Sequence, residues 1–207
     1  MSFSQFGQDL HVVNTIFNGK EGGYFVEVGA SEGVWGSNTM LLEQKYGWNG
    51  ICIECNPRMF DVLSQKRKCH CCSAAVYDQD DQTLQFYDAN IGGHSGLAET
   101  ITNPEVKTYS NVIHVQTKTL MTILDQFQAP PFIDFLSLDT EGSEYKILQA
   151  MDFTKYKFGY MCVEHNYVEP NRTLIRTLLE SKGYVFYRQN EVDDDYILKE
   201  LLPTSSA

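Results

Sequence analysis

The chain has 207 residues, 43% hydrophobic and 21% charged, with 16 basic against 27 acidic side chains and a formal net charge of −11 at neutral pH. Such a chain buries roughly 70% of its unfolded surface, so it holds a core without disulfide or metal staples, and disordered or fibrous states are excluded. The acidic balance excludes general binding to a nucleic-acid backbone or an anionic membrane surface.

No apolar run approaches the roughly 20 residues that span a bilayer. Met1 to Asp9 has no basic region followed by an apolar core, so it does not read as a signal peptide, and the expected location is cytoplasmic. Residues 1–20 read as a leading segment with a short helix from about Gln8 to Phe17. Gly22-Gly23 then breaks the chain. Tyr24 to Val28 is a short apolar run ending in Gly29, which suits a buried parallel strand and a tight turn. Ser37-Asn38 caps a helix to Tyr46 that Gly47 stops. Gly50 to Glu54 is a second strand, Asn56-Pro57 starts a helix, and His70 to Val76 is a third strand. Strand and helix alternate as in a parallel sheet with crossover helices.

Thr83 to Asp88 alternates like an edge or extra strand. Ala89 to Asn111 is a long polar stretch containing Gly92-Gly93-His94-Ser95-Gly96, and loops of that length are more often functional than idle. Val112 to Thr117 is a strand and Leu120 to Phe127 a helix. Regular alternation resumes with a strand at Ile133 to Asp139, a helix at Ser143 to Met151, a strand at Phe158 to Glu164 and a helix at Asn171 to Lys182. Tyr184 to Gln189 and Tyr196 to Lys199 form a hairpin around Asn190 to Asp195, with Asp193-Asp194-Asp195 as a solvated turn. Residues 203–207 read as a frayed tail. The expectation is one α/β domain over residues 1–207, with five parallel strands, a terminal antiparallel hairpin and an inserted β segment.

Open sheets of this kind bind ligands beyond the carboxyl ends of their strands. Those ends carry Glu27-Val28-Gly29, Glu54, Ser73-Ala74, Asp139 and Glu164-His165, so acidic residues crown four of the five. Gly29 lets the backbone approach a ligand. The turn Gly29-Ala30-Ser31-Glu32-Gly33 lacks the Lys-Ser/Thr pair of a phosphate loop, and Glu27 would repel a pyrophosphate. A carboxylate there suits an amine or another cation. Glu54, 25 residues after Gly29, stands where nucleoside-binding sheets hold both ribose hydroxyls. The two glutamates point to a ribonucleoside without pyrophosphate, and S-adenosylmethionine fits.

The sequence resembles the FkbM-type class I methyltransferases over about Phe6 to Lys199. The resemblance is carried by Gln5 to Asp9, Tyr24 to Gly33, Ser37-Asn38-Thr39 with Leu42-Glu43, Gly47 to Gly50 running into Ile53 to Pro57, and Ile133 to Glu144. It implies a Rossmann-like, seven-stranded, mostly parallel sheet with helices on both faces. It also implies S-adenosylmethionine across the carboxyl edge, with Glu27, Gly29, Ala30 and Ser31 on the methionine side and Glu54 at the ribose. Asn38 would lie close to the cofactor, and Cys55, Ser73 and Ala74 would border the adenine. Cys55 departs from the small or apolar residue frequent in the family.

Methyl transfer to a sugar hydroxyl needs a base within reach, or a metal that lowers the hydroxyl pKa. Asp139, Glu164 and His165 close neighbouring strands. They suit a Mg²⁺ or Mn²⁺ site or, without metal, a base cluster in which Asp139 or His165 takes the proton. Some sugar O-methyltransferases on this fold place metal-binding acids at these strand ends. Glu141 and Glu144 read as helix N-terminal caps. His94 and Ser95 can hydrogen-bond an acceptor sugar, and Trp35 and Tyr167 can stack on one. The six cysteines, at 52, 55, 69, 71, 72 and 162, read as free thiols. A zinc site is disfavoured, because alternation along a strand points Cys52 and Cys55 to opposite faces. The expected function is S-adenosylmethionine-dependent O-methylation of a carbohydrate, a deoxyhexose such as rhamnose in a glycan or glycoconjugate. The alternatives are a lipid, polyketide or protein acceptor, or a silent cofactor-binding module. The chain's small size, without a glycan-binding module, is compatible with a place in a longer multidomain polypeptide.

Overall fold

The computed structural model describes residues 1–89 and 94–202; residues 90–93 of the polar stretch, Gly92-Gly93 included, and the tail 203–207 lie outside the described residues. In chain order the elements are α1 (Gln8–His11, continued by a π-helical turn at Val12–Ile16), β1 (Tyr24–Val28), α2 (Met40–Tyr46), β2 (Asn49–Ile53), α3 (Pro57–Lys66), β3 (His70–Cys72), β4 (Ala75–Tyr77), β5 (Thr83–Asp88) and β6 (Gly96–Leu97). They continue with α4 (Pro104–Tyr109), β7 (Asn111–Thr119), α5 (Leu120–Gln126), β8 (Phe132–Leu138), α6 (Glu144–Gln149), β9 (Lys157–Glu164), α7 (Asn171–Ser181), β10 (Tyr184–Asn190) and β11 (Asp193–Leu198).

The main sheet has seven strands in the order β10-β11-β9-β8-β1-β2-β3. Five of them are parallel, and the β10–β11 hairpin joins antiparallel through β11 to β9. The order reverses between β1 and β8, and that switch point opens the crevice at their carboxyl ends. The central strands are apolar on both faces because helices cover both. Val26, Val28, Leu136, Leu138, Met161 and Val163 pack with residues of α5, α6 and α7. The alternate residues Phe25, Phe135, Tyr160 and Cys162 pack with α2, α3 and the turn after α1 on the other face. Among the described residues no helix is long and apolar enough to cross a membrane.

Three expectations change. The stretch read as one strand at His70 to Val76 is two, β3 and β4, separated at Ser73-Ala74. β4 leaves the main sheet to pair with β7 in a second, four-stranded sheet of order β4-β7-β5-β6. The polar stretch 89–111 contains β6 and α4, whose first turn is capped by Asn103 with Pro104 behind it, the same Asn-Pro signal that starts α3. The aspartates read as a solvated turn are instead buried in β11. Each has its own partner: Gln8 for Asp193, Arg172 and Arg176 for Asp194, Arg188 and Tyr160 for Asp195.

Candidate functional site

The turn after β1 is fixed by backbone alone. The Gly29 and Ala30 amides both donate to the Ile53 carbonyl at 3.0 Å, and the Asp139 amide donates to the Val28 carbonyl. Gly29 has φ +80°, and a Cβ there would lie 1.8 Å from the Asp139 carbonyl oxygen, so no side chain fits. Glu27, two residues earlier, is buried. Its Oε2 accepts from Ser37 Oγ at 2.9 Å, Thr39 Oγ1 at 2.6 Å and Arg67 Nη1 at 3.3 Å, and its Oε1 accepts from the Asn38 amide at 2.6 Å. This carboxylate is therefore less free than expected: most of its capacity organises the 37–39 segment, and one Oε1 lone pair remains toward the cleft. Those bonds also explain why α2 starts at Met40, later than the Ser37-Asn38 signal. Asn38 donates Nδ2 to Ser137 Oγ at 2.8 Å, while its Oδ1 is buried without a partner.

A cleft of about 400 Å³ runs over this turn, lined among others by Glu27, Gly29, Ala30, Ser31 and Glu54. Glu54 accepts from the Ser31 amide at 2.8 Å through Oε2 and from the Asn56 amide at 2.7 Å through Oε1. Desolvation raises its pKa, against the backbone donors that lower it. The cleft adjoins a recess of about 60 Å³ walled by Ile53, Cys55, Ala74, Val76, Phe86 and Leu97. Cys55 and Ala74 thus lie where an adenine wall was expected, whereas Ser73 is exposed outside it. Ser95 borders both spaces and accepts from the Ala89 amide at 3.0 Å.

The second half of the site is a row of acids. Register sets Val28 beside Leu138 and Leu138 beside Val163. The next residues, Gly29, Asp139 and Glu164, therefore stand in line, and Asp193, opposite Glu164, continues the row. Oxygens of Asp139, Glu141 and Glu164 lie within 4.8 Å of one another, a spacing a divalent cation can bridge. Among the described residues no lysine or arginine pairs with these three, nor with Glu144 or Asp193. Desolvation first, then the Asp139 and Glu144 charges, push Glu141 up to about 8. Asp139, though its surface is open to the cleft, rises to about 7, by desolvation of its carboxyl and then the Glu144, Asp193 and Glu27 charges, against a hydrogen bond with Glu164 that lowers it. Glu164 is pushed up furthest, so the pair shares a proton. Glu164 Oε2 has no donor.

Of the two residues expected to cap α6, Glu144 stands in its first turn but holds the preceding turn instead: its Oε1 accepts from the Thr140 and Gly142 amides and from Thr140 Oγ1. Glu141 does neither. With φ +59° it turns its carboxylate into the acid group, where Asn166 Nδ2 donates to Oε2 at 3.2 Å and His94 Nδ1 stands 3.4 Å from Oε1. His165 is the converse correction, since the structure does not bring it into the acid group. Neighbours along a strand point to opposite faces, so His165 faces α7. Its Nδ1 accepts from the Tyr167 amide at 2.9 Å, and Nε2 lies 3.4 Å from Asp194. Burial lowers its pKa, against the Asp194 charge that raises it.

Beyond Glu141 and Glu164 opens a groove of about 710 Å³, lined by His94, Thr100, Thr102, Asn103, Asn166 and Asn171 among others. Its one lysine, Lys146, is held by Glu99 at 2.9 Å. Trp35 and Tyr167 are exposed nearby in sequence to the cleft and groove walls, and Trp35 lines the cleft itself. All six cysteines are free, and Cys52 and Cys55 pack into different clusters. Among the described residues no cysteine–histidine group closes on a metal. Arg67, which holds Glu27, and the buried pair Gln8 and Asp193 behind the row of acids were not expected to support the site. Arg67 sits in Lys66-Arg67-Lys68, which reads as surface, and its partners are more than 20 residues away in sequence.

The sequence matches a family described as the methyltransferase FkbM domain over residues 27–186. A search of curated proteins finds no match. Among solved structures, the fibrillarin of Aeropyrum pernix with bound S-adenosyl-L-methionine is 12% identical, covers 94% of this chain and 73% of its own, and has a TM-score of 0.48. Precorrin-6y C5,15-methyltransferase of Geobacter metallireducens is 13% identical, with coverage of 91% and 84% and a TM-score of 0.47. A TehB-like methyltransferase of Corynebacterium glutamicum is 8% identical, with coverage of 95% and 89% and a TM-score of 0.46.

Proposed function

The chain belongs to the FkbM methyltransferase family and is an S-adenosylmethionine-dependent methyltransferase; from that premise we propose that its acceptor is a carbohydrate hydroxyl. The sheet, with its reversed strand order and terminal hairpin, is the class I methyltransferase sheet. The residues present fit the cofactor. Unneutralised carboxylates suit a cation, Asn38 Oδ1 and the spare Glu27 Oε1 lone pair suit an ammonium, Glu54 suits a diol, and the apolar recess, too small to enclose a purine, suits one edge of it with the rest in the adjoining cleft. When bound, the cofactor supplies a methyl group on a positively charged sulfur.

The observation that carries the acceptor reading is the groove. Its threonines, asparagines and two histidines donate and accept, its four glutamates repel anions, and its lysine is paired, which suits a polyhydroxylated molecule better than a phosphate or carboxylate. It meets the acid group at Glu141 and Glu164, so an acceptor hydroxyl laid there comes within reach of Asp139. A carboxylate raised to about 7 is matched to take that proton near neutrality. The mutual spacing of Asp139, Glu141 and Glu164 favours a second version, in which these three hold Mg²⁺ or Mn²⁺ and the metal lowers the hydroxyl pKa. His165 is a ligand in neither version.

The test is methyl transfer to a panel of free and linked sugars, deoxyhexoses included, beside lipid, polyketide and peptide acceptors. An O-methylated sugar that disappears in Asp139→Asn is the expected result. Transfer to a non-sugar acceptor alone, or cofactor binding with no transfer to anything, overturns it. Activity that survives a chelator and Glu141→Gln leaves Asp139 as a metal-free base.

A further inference from the structure

Three consecutive aspartates enter β11, all buried, and they are treated differently. Asp194 is neutralised by Arg172 at 2.6 Å and Arg176 at 2.8 Å. Asp195 is neutralised by Arg188 at 2.7 Å. Among the three, Asp193 is the one with no cationic partner: Gln8 Nε2 donates to its Oδ2 at 2.8 Å. The glutamine is not free to turn over, because its Oε1 accepts from the Phe6 amide at 2.9 Å, which keeps the amino end on Asp193. Asp193 is also the one aspartate of the three in the row of Asp139 and Glu164, opposite Glu164 on the adjoining strand. Its charge is felt at Asp139.

We propose that Gln8 is a positioning residue for methyl transfer: it fixes Asp193, without neutralising it, as the far, buried member of the carboxylate row, whose charge adds to the field that a cationic cofactor at the strands' carboxyl ends would feel. An arginine at this place would hold Asp193 equally well and cancel the charge; an amide holds it and leaves the charge in the field. The glutamine is itself anchored. Asp9 accepts from Ser2 Oγ, Ser4 Oγ and the amides of Phe3, Ser4 and Leu10, which ties residues 2–10 into one knot. Asn190, at the end of β10, donates to the Phe6 carbonyl. The Gln8–Asp193 contact joins two segments 185 residues apart, one near each end of the chain.

The proposal rests on the S-adenosylmethionine reading, and the experiment separates the two. Calorimetry measures the affinities of the whole chain for S-adenosylmethionine and for S-adenosylhomocysteine, which lacks the positive sulfur, in wild type, Asp193→Asn and Gln8→Met. Thermal melts accompany each. Asp193→Asn is expected to weaken the methyl donor about tenfold and the demethylated product less than twofold, with the loss read in the donor's KM and kcat/KM and no fall in kcat. Gln8→Met is expected to show the same one-sided loss, smaller in size. If Asp193→Asn does not fold, Gln8→Met carries the test. Equal loss for both ligands, or no loss for either, overturns the positioning role and leaves the cofactor reading standing. A wild-type chain that binds neither ligand overturns the cofactor reading itself.

Discussion

Replacing Arg67 by methionine removes the cation on which one wall of the cleft is built. The arginine side chain is wholly buried. It donates to Glu27, Glu43, Ser37, Thr39 and the Gly33 carbonyl over 2.8 to 3.3 Å, and its guanidinium lies 5.4 Å from the Phe25 ring centre. Removing one partner of a buried ion pair costs about 3–5 kcal/mol. Here Glu27 keeps Ser37, Thr39 and the Asn38 amide as donors, and Glu43 keeps the Lys68 amide, so neither carboxylate is stranded. That places the loss near the lower end, at about 3 kcal/mol, or about 6–12 °C in Tm for a chain of this size. Urea and thermal melts of Arg67→Met measure it. Adding Glu27→Gln to the variant is expected to recover part of the loss, because one uncompensated charge disappears. A loss below about 1 kcal/mol, or a double variant less stable than the single, would refute Arg67 as the organiser of this wall.

Gly29→Ala is expected to abolish cofactor binding and lower Tm, since its Cβ would overlap the Asp139 carbonyl at a backbone angle that disfavours side chains; near-wild-type affinity by calorimetry would contradict the turn geometry. Asp139 and Glu141, raised from 3.8 and 4.5 to about 7 and 8, keep protons in the fold that the unfolded chain has released. Their contribution to stability is full below their unfolded pKa values and lost as pH rises through about 7 to 8. The ligand-free protein is therefore expected to melt earlier at pH 8 than at pH 5, with a smaller difference in Asp139→Asn. An equal pH dependence in that variant counts against the assignment. Millimolar Mg²⁺ or Mn²⁺ is expected to raise the pH 8 melting temperature of wild type and to leave Glu141→Gln unmoved; equal shifts in both rule out the three-acid site.

The parallel half of the fold was legible because β1, β8 and β9 carry their signal locally, as short apolar runs between a glycine or proline break and an acid. β3 and β4 were read as one strand because Ser73-Ala74 is no breaker: what divides them is the transfer of pairing from β2 to β7, a tertiary fact. The buried aspartates of β11 were hidden for a similar reason. Their arginines stand on α7 and β10, and a charged triplet looks solvated until those partners are in place. Two misreadings were avoidable from the sequence. Asn103-Pro104 repeats the signal that starts α3. Strand alternation separates Glu164 from His165, although adjacency in the chain invited grouping them. Glu141 was beyond reach, because only its left-handed backbone turns it from the helix cap into the acid group.

The most direct measurement is a calorimetric titration of the purified chain with S-adenosylhomocysteine, in wild type and in Glu54→Ala. Saturable one-to-one binding by wild type, weakened at least tenfold when the β2 carboxylate is removed, is the expected result. No binding by wild type, or undiminished binding by the variant, would contradict a nucleoside cofactor lying across the carboxyl edge of this sheet.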